Sequence, residues 1–301
     1  MKLVIIGGVA GGASAATRAR RLDEQAEIVL LERGEYISFA NCGLPYHIGK
    51  VIPGREQLLV MTPEKLRART AITARVRHEA VAIDRPARTV RVRDLTTGRE
   101  YLESYDRLIL ATGASPVRPA LPGIDDPAVT TLWTIADMDR IIARLGSGAR
   151  RAVVVGGGFI GLEAAENLVA QGLAVTLIEK LPQVLPTLDQ EMAQPLAGEL
   201  LAHGVDLRLG TGVKAFRRDA DGLAVVLEDG SSVATDCVVM AIGVRPNSDL
   251  AAGCGLALDE RGGIIVDTHL RTSDPDILAA GDVIAVTDPV LGHRTLVPLA
   301  G

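Results

Sequence analysis

Cys42 stands in a sequence context that can make a thiol reactive. It precedes Gly43-Leu44-Pro45, and proline is favoured in the first turn of a helix. The N-terminus of a helix stabilises a thiolate, the form that attacks the sulfur of a disulfide or a persulfide. Cys237 lies in an apolar strand pattern and Cys254 has no such neighbours. For these two we expect the default state of a lone cysteine, an inert buried thiol.

A glycine-rich turn in the middle of the chain predicts a dinucleotide site. Residues Gly156–Gly161 (GGGFIG) satisfy the pattern G-x-G-x-x-G between an apolar strand and a helix. Gly156 permits the tight turn, Gly158 lets a pyrophosphate approach the backbone, and Gly161 allows the helix to pack closely on the strand. The N–H groups of the helix N-terminus then bind the phosphates. Glu179 ends the next strand, where a carboxylate can bind a ribose diol; the alternative is a purely structural turn.

A second copy of this pattern lies at the start of the chain. Residues Gly7–Gly12 read GGVAGG, with Val9 in the place of the second motif glycine. Gly8 and Gly11 can supply the missing backbone freedom, and Glu32 follows at the end of the next apolar strand. This copy matches the pattern less well than the central one, and a structural turn is again the alternative.

The repetition of strand, glycine turn, helix, strand and acid predicts the fold class. Apolar runs precede both turns (Leu3–Ile6 and Ala152–Val155), and a second apolar run follows each helix (Ile28–Leu31 and Val175–Ile178). This spacing is typical of βαβ units with parallel strands. We therefore predict an α/β protein with two doubly wound, Rossmann-like domains.

Two stretches with alternating residues predict small antiparallel meanders beside the parallel sheets. One covers 74–105, with a turn at Thr97-Gly98, and the other covers 223–233, with a turn at Asp229-Gly230. The proline-rich segment 115–122 is typical of a linker between the two domains.

The composition excludes several classes of function. Hydrophobic residues make up 48% and charged residues 23% of the chain, as in ordinary globular proteins. The net charge of −5 argues against binding to nucleic acid or to an anionic membrane. No apolar stretch reaches the roughly 18 residues of a membrane helix, and the three cysteines form neither a disulfide framework nor a metal-ligand cluster. We predict a cytoplasmic protein with no metal site and with no nucleic-acid or membrane partner.

The segment around Cys42 also carries a family resemblance. Ser38–Tyr46 (SFANCGLPY) resembles the SFxNCGLPY segment of the single-cysteine branch of the pyridine nucleotide-disulfide oxidoreductases. This branch contains the coenzyme A-disulfide reductases, the coenzyme A persulfide and polysulfide reductases and the NADH oxidases. The resemblance covers essentially the whole chain, and its further motifs are Ala111-Thr112-Gly113, Gly281-Asp282, Thr62-Pro63-Glu64-Lys65 and Val297-Pro298-Leu299-Ala300-Gly301.

The resemblance implies a cofactor in each domain. FAD is assigned to a domain formed by 1–113 and 244–301, and NAD(P)H to a domain formed by 114–243. The implied FAD residues are Gly7, Gly8, Ala10, Gly11, Gly12, Glu32, Arg33, Ala111, Thr112, Gly113, Gly281 and Asp282. The implied NAD(P)H residues are Gly156, Gly158, Phe159, Gly161 and Glu179. The alternative for Asp282 is a helix N-cap, and the alternative for Phe159 is plain packing.

NADH is expected to be preferred over NADPH. The Glu179 carboxylate pairs with a 2′-hydroxyl but repels a 2′-phosphate. Lys180 beside it can soften that repulsion, so a modest preference is predicted.

The implied activity is the reduction of coenzyme A disulfide, persulfide or polysulfide by NAD(P)H. Ser38 and Asn41 accompany Cys42 in the implied catalytic set. Ser14, Arg18 and Arg21 are implied to bind the substrate; for the arginines a solvated basic face is the alternative. A second activity is that of an NADH oxidase or peroxidase, in which Cys42 cycles through a sulfenic acid. A third possibility is a redox-sensing or interaction protein that binds both nucleotides without turnover.

Members of this family continue into a C-terminal dimerisation domain, and some add a rhodanese domain. Because the chain stops at Gly301, we expect it to lack the dimerisation domain, and we expect a homodimer where that domain is present.

Overall fold

The computed structural model of the protein describes residues 1–220, 222–290, 292 and 294–296. The motif Val297–Gly301 lies outside the described residues. The described helices are α1 (Gly11–Leu22), α2 (Leu44–Ile48), α3 (Pro63–Thr70), α4 (Ile135–Gly146), α5 (Phe159–Ala170), α6 (Gln190–Ala202) and α7 (Asp249–Gly253), with 3₁₀ turns at Asn41–Gly43 and Arg55–Leu58.

The strands in the same part of the chain are numbered in sequence order. They are β1 (Lys2–Ile6), β2 (Glu27–Glu32), β3 (Thr73–Val76), β4 (His78–Asp84), β5 (Thr89–Asp94), β6 (Glu100–Ser104), β7 (Arg107–Leu110), β8 (Ala114–Pro116), β9 (Val129–Thr131), β10 (Arg151–Val155), β11 (Ala174–Glu179), β12 (Asp206–Leu209), β13 (Val213–Asp219), β14 (Gly222–Leu227), β15 (Ser232–Thr235), β16 (Cys237–Met240), β17 (Val244–Pro246), β18 (Ile264–Ile265), β19 (Ile277–Ala279), β20 (Ile284–Thr287) and β21 (Arg294–Thr295).

The chain divides into two compact units, and each unit is built from segments that are not contiguous. The first unit combines Met1–Phe39 and Leu59–Ser115 with the residues from Arg245 onward. The second combines Ala40–Leu58 with Pro116–Val244. Cys42 therefore belongs to the second unit, whereas the first glycine turn belongs to the first.

A five-stranded parallel sheet forms the centre of the first unit, in the order β19-β7-β1-β2-β3. β1 is buried on both faces, which is why its sequence is continuously apolar. Leu3 and Ile5 pack with Ala16 of α1 on one face. Val4 and Ile6 pack on the other face with the core side chains of the antiparallel meander β4-β5-β6.

The second unit repeats this arrangement, with a parallel sheet in the order β12-β11-β10-β16-β9. Val153 and Val155 of β10 pack against Phe216 and Val225 of the antiparallel meander β13-β14-β15. The strand order reverses next to β10, as it does next to β1 in the first unit. In open α/β sheets such a reversal creates a crevice for ligands at the carboxyl ends of the strands.

The predicted fold class is confirmed. The turn glycines of the two meanders, Gly98 and Gly230, have φ values of +74° and +86°. One boundary differs from the prediction, because residues 73–76 form β3, which pairs in parallel with β2. Arg77, with a φ of +58°, separates β3 from the first meander strand, so the meander begins at His78 and not at residue 74. Among the described residues, no helix has both the length and the apolar character needed to cross a membrane.

Candidate active site and nucleotide sites

The turn between β1 and α1 brings backbone against backbone. Gly7 has a φ of +102°, a left-handed conformation that favours glycine. A Cβ atom on Gly7 would overlap the carbonyl oxygen of Ala111, and one on Gly12 would overlap the carbonyl oxygen of Gly7. Ala10 precedes the helix, and no described side chain caps α1. The N–H groups at the start of α1 therefore remain available to a phosphate.

Glu32 closes this turn from the end of β2. Its Oε2 accepts a hydrogen bond from the Gly8 N–H (2.7 Å), and its Oε1 accepts one from the Gly34 N–H (2.6 Å). The backbone thus orients the carboxylate beside the turn, where it can bind ribose hydroxyls. Arg33 is exposed and makes no hydrogen bond or ion pair with a described residue.

Asp282 lies close to the same turn and has no protein partner within the described residues. A Cβ atom on Gly11 would lie 3.6 Å from the Cα of Gly281. Burial raises the pKa of the Asp282 carboxyl. The residues that follow, Ile284–Thr287, form a strand, so Asp282 does not cap a helix and that alternative is wrong. A half-buried carboxylate without a donor fits the hydroxyl groups of a ribitol chain, because an unpaired buried charge is costly.

Asn247 fixes the Ala111–Gly113 segment and was missed by the sequence reasoning. Its carbonyl oxygen accepts a hydrogen bond from Thr112 Oγ1 (2.7 Å), and its Nδ2 donates one to the Thr112 carbonyl (2.8 Å). The Asn247 N–H also donates to the Gly113 carbonyl (2.9 Å). Asn247 follows Thr112 by 135 residues, and nothing local in the sequence points to this contact.

The glycine turn of the second unit has the same geometry as the first. Gly156 has a φ of +108°, and a Cβ atom there would overlap the carbonyl oxygen of Ala241. A Cβ atom on Gly161 would overlap the carbonyl oxygen of Gly156, whereas one on Gly158 would meet no described atom within 4 Å. The segment Ala241-Ile242-Gly243 therefore corresponds to Ala111-Thr112-Gly113. An Ala-x-Gly triplet after an apolar strand was the sequence signal that could have revealed it.

Glu179 corresponds to Glu32. Its Oε2 accepts a hydrogen bond from the Gly157 N–H (2.6 Å), and its Oε1 accepts one from the Leu181 N–H (2.8 Å). Only 9% of Glu179 is exposed, whereas 56% of Phe159 is exposed at the start of α5. The exposure of Phe159 argues against the alternative in which its ring packs into the interior.

Cys42 is exposed and lies in the 3₁₀ turn Asn41–Gly43, directly before α2. Asn41 Oδ1 accepts a hydrogen bond from the Cys42 N–H (3.1 Å) and lies 3.9 Å from Cys42 Sγ. Pro45 lies in the first turn of α2, as expected. Cys237 is buried in β16, where burial raises the pKa of its thiol to about 11, and burial also raises the pKa of the Cys254 thiol. Among the described thiols, Cys42 is the exposed one; Cys237 is buried, whereas Cys254 is partly exposed and not buried as expected.

Helix α5 holds the cysteine segment with one of its faces. Glu163, Asn167 and Gln171 are spaced four residues apart, so they lie on the same side of the helix. Gln171 Nε2 donates a hydrogen bond to the Gly49 carbonyl (3.2 Å), and Asn167 packs directly against Gly49. Helix α5, which begins at the second glycine turn, thus also packs against the segment that carries Cys42.

Two further side-chain pairs secure this segment. Arg55 donates two hydrogen bonds to the Asp139 carboxylate of α4 (3.1 and 2.9 Å). Tyr46 and Glu163 interact through their side chains, and the charge of Glu163 is the main cause that raises the pKa of Tyr46. The pKa of Glu163 is raised by burial and by the charge of Glu166. Sequence reasoning missed these contacts, since they join residues that are distant along the chain.

Ser38 belongs to the first unit, whereas Asn41 and Cys42 belong to the second. Its φ of +46° is costly for a residue other than glycine, on the order of 1–3 kcal/mol, and such strain tends to cluster at functional sites. The Ser38 N–H donates to the Gly8 carbonyl (2.9 Å), and the Ser38 carbonyl accepts from the Val60 N–H (3.1 Å). These bonds tie Ser38 to the first glycine turn.

Ser14, Arg18 and Arg21 are exposed on one face of α1. Neither arginine makes a hydrogen bond or an ion pair with a described residue. Arg20, in contrast, donates to the carbonyl oxygens of Thr70 (2.8 Å) and Glu24 (2.6 Å). Arg20 is therefore structural, while Arg18 and Arg21 are free for an anion; a solvated basic face predicts the same exposure.

Comparison with known proteins matches residues 1–298 to the family described as pyridine nucleotide-disulphide oxidoreductase. A coenzyme A disulfide reductase from Staphylococcus haemolyticus is 36% identical over 300 residues, which cover 99% of this chain and 67% of that protein. The structure of reduced CoADR-RHD from Bacillus anthracis is 48% identical, with a TM-score of 0.96, and covers 99% of this chain and 54% of that one.

The structure of an NAD-dependent persulfide reductase from A. fulgidus is 37% identical, with a TM-score of 0.97, and covers 100% of this chain and 56% of that one. The chain therefore spans about half of the length of these two solved structures, and 63% to 67% of the length of its curated relatives. Because the family profile and these relatives cover almost every residue, the chain belongs to the pyridine nucleotide-disulphide oxidoreductase family.

Proposed function

We propose that the protein is an FAD-dependent NAD(P)H:disulfide oxidoreductase that reduces coenzyme A disulfide, persulfide or polysulfide through Cys42. The observation that carries this proposal is the exposed Cys42 thiol, which lies directly before α2 on a segment held by α5. Helix α5 itself begins at a dinucleotide-type glycine turn. The names of the relatives, a coenzyme A disulfide reductase and a persulfide reductase, support this class of substrate.

The first unit has the groups that FAD requires. The start of α1 would hold the phosphates, Glu32 a ribose, and Asp282 the ribitol hydroxyls. The second unit would bind NAD(P)H through the turn Gly156–Gly161 and through Glu179, with NADH preferred over NADPH. When bound, FAD supplies the transfer of two electrons from the nicotinamide to sulfur.

Cys42 carries the chemistry on sulfur. Its thiolate attacks one sulfur of R–S–S–R′, the S–S bond breaks, and R′–S⁻ leaves with the electron pair and takes a proton from water. Cys42 then holds R as a mixed disulfide. Two electrons reduce this bond, which restores the Cys42 thiolate and releases R–S⁻. Asn41 keeps Cys42 in place by accepting the hydrogen bond from its N–H.

Arg18 and Arg21 would bind the phosphate groups of a coenzyme A-type substrate, with the Ser14 hydroxyl as a further donor. Guanidinium groups suit phosphates because they can donate two parallel hydrogen bonds. The lack of any partner for these arginines within the described residues supports this role. Ser38 is proposed as a substrate-site residue that the first glycine turn holds in position.

The second candidate activity is that of an NADH oxidase or peroxidase. An exposed Cys42 thiol also fits attack on a peroxide, which would yield a sulfenic acid. A cytoplasmic location, and a homodimer formed through a C-terminal domain, stay predictions.

Rate measurements on the full-length protein test the proposal. We expect it to purify with bound FAD, and to oxidise NADH fastest with coenzyme A disulfide, coenzyme A persulfide or polysulfide as the acceptor. Faster oxidation with oxygen or peroxide would favour the second activity. Protein that takes up no FAD on reconstitution would contradict both activities.

A further inference from the structure

Lys180, the residue after Glu179, has an acidic partner in the structure. Lys180 Nζ forms an ion pair with Glu228 Oε1 at 3.0 Å. The lysine side chain is 71% exposed and the glutamate side chain 49% exposed. A lysine beside the ribose-binding acid is the charge that would attract a 2′-phosphate, and here a carboxylate already neutralises it.

Hydrogen bonds hold the backbone around this ion pair. The Gly210 N–H donates to the Leu181 carbonyl (3.0 Å), and the Thr211 N–H donates to the Glu179 carbonyl (3.3 Å). These bonds fix the loop 210–212 against the segment that carries Glu179. The loop therefore has a defined position relative to Lys180.

Glu228 directly follows β14 and contacts this loop. Its N–H donates to the Gly212 carbonyl (2.9 Å), and a Cβ atom on Gly212 would lie 2.8 Å from the Glu228 carboxylate. The Glu228 carboxylate thus packs against Gly212, and from that position its Oε1 contacts Lys180 Nζ.

We propose that Glu228 is a specificity-determining residue that favours NADH over NADPH by holding Lys180 away from a 2′-phosphate. This inference rests on the proposed binding of NAD(P)H by the second unit. Glu179 repels the 2′-phosphate of NADPH, as expected from the sequence. Glu228 adds to the preference for NADH by pairing with the nearby positive charge of Lys180. Glu228 acts through Lys180, so its effect requires the lysine.

The size of the effect follows from the exposure of the pair. Exposed ion pairs are weak and are screened by salt. Release of Lys180 should therefore tighten the binding of a 2′-phosphorylated nucleotide by about threefold, a change within the range of such pairs. The gain should shrink at high ionic strength.

Calorimetric titration of the oxidised full-length protein with NADP⁺ and NAD⁺ tests the proposal. For Glu228→Gln we expect the Kd for NADP⁺ to fall by about threefold, with little change in the Kd for NAD⁺. In a Lys180→Met background the same substitution should leave the Kd for NADP⁺ unchanged. Asp206→Asn is the matched control, since it also removes one negative charge from an exposed ion pair, with Arg208, but at the amino end of β12.

The outcomes distinguish failure of the proposed role of Glu228 from failure of the proposed function. If Glu228→Gln leaves the Kd for NADP⁺ unchanged, the inference is wrong. An equal gain in the Lys180→Met background would also overturn it, because Glu228 would then act by direct repulsion and not through the lysine. Wild-type protein that binds neither nucleotide would refute the proposed function itself.

Discussion

The amide oxygen of Asn167 occupies the space that a Cβ atom on Gly49 would need. Gly49 directly follows α2, the helix next to Cys42, and Asn167 is buried in the middle of α5. Since the φ of Gly49 is −71°, the backbone there is one that any residue adopts. The glycine is required for close packing alone.

Gly49→Ala should therefore weaken the packing of the segment that carries Cys42 against α5. We expect a loss of about 1–3 kcal/mol in the free energy of unfolding, as is typical for overpacking, together with slower disulfide reduction. Urea unfolding and turnover measure the two effects. Asn167→Ala in the same chain should restore part of the loss. Gly146→Ala is the control, because a Cβ atom there meets no described atom within 4 Å; an equal loss in both variants would refute the packing argument.

Cys42→Ser should abolish sulfur reduction while the protein still binds FAD and still accepts hydride from NADH. Serine forms no sulfur–sulfur bond and offers no comparable anion at neutral pH. Rapid-mixing absorbance follows flavin reduction, and thiol release follows turnover. Substitution of Cys237, which is buried in β16, should affect stability and not the reaction. If Cys42→Ser retains most of the rate, the single-cysteine mechanism is wrong.

Glu179→Ala should lower kcat/KM for NADH and raise that for NADPH. The carboxylate binds a ribose diol but repels a 2′-phosphate, so its loss should reduce the preference for NADH by about tenfold, the effect of ~1.4 kcal/mol. Glu32→Ala is the matched control, because Glu32 has the same local geometry in the first unit. That variant should bind FAD more weakly, and with FAD added in excess its ratio of kcat/KM for NADH and NADPH should equal that of the wild type. An unaltered ratio in Glu179→Ala would contradict the assignment of the second unit.

Arg18→Ala and Arg21→Ala should raise the KM for coenzyme A disulfide and leave that for a small disulfide without phosphates unchanged. A hydrogen bond to a charged group contributes at least about 1.5 kcal/mol, so a rise in KM of roughly tenfold or more is expected. Arg20→Ala serves as the contrast, because Arg20 binds backbone carbonyls and its loss should lower stability. An unchanged KM for both disulfides would favour the solvated basic face.

Asp236 should make stability depend on pH in acid. Its hydrogen bond with the Arg151 side chain, helped by bonds from the Arg150 and Arg151 N–H groups, lowers the pKa of its carboxyl to about 2. A lowered pKa in the folded state means that the stabilisation is complete above pH ~4, the ordinary pKa of aspartate, and is lost as the pH falls towards 2. The pair is partly exposed, so screening reduces its contribution to about 1 kcal/mol.

Urea unfolding of Asp236→Asn at several pH values measures this contribution. The variant should be less stable than the wild type at pH 7, and the difference should narrow between pH 4 and pH 2. Asp125→Asn is the control, since the Asp125 side chain is 96% exposed and should show no comparable effect. A difference that stays constant down to pH 2 would show that the carboxylate charge is not the cause.

Local spacing in the sequence determined the fold class and most of the nucleotide motifs. A parallel strand that is buried on both faces must be apolar throughout, and a turn in which backbone meets backbone must use glycine. These are requirements on neighbouring residues, so Leu3–Ile6, Gly7–Gly12 and their copies at 152–161 could be recognised directly. The context of Cys42 was readable for the same reason, because Pro45 and the turn that exposes the thiol lie within a few residues of it.

Only the tertiary structure decided which distant residues complete these motifs. Asn247 forms hydrogen bonds with Thr112, α5 packs against the segment that carries Cys42, and Glu228 forms an ion pair with Lys180. Each contact joins residues that are far apart along the chain, and each partner is an ordinary polar side chain that would be unremarkable on any surface. Such pairs depend on how sheets and helices bring their edges together, and no periodicity or motif in the sequence encodes them.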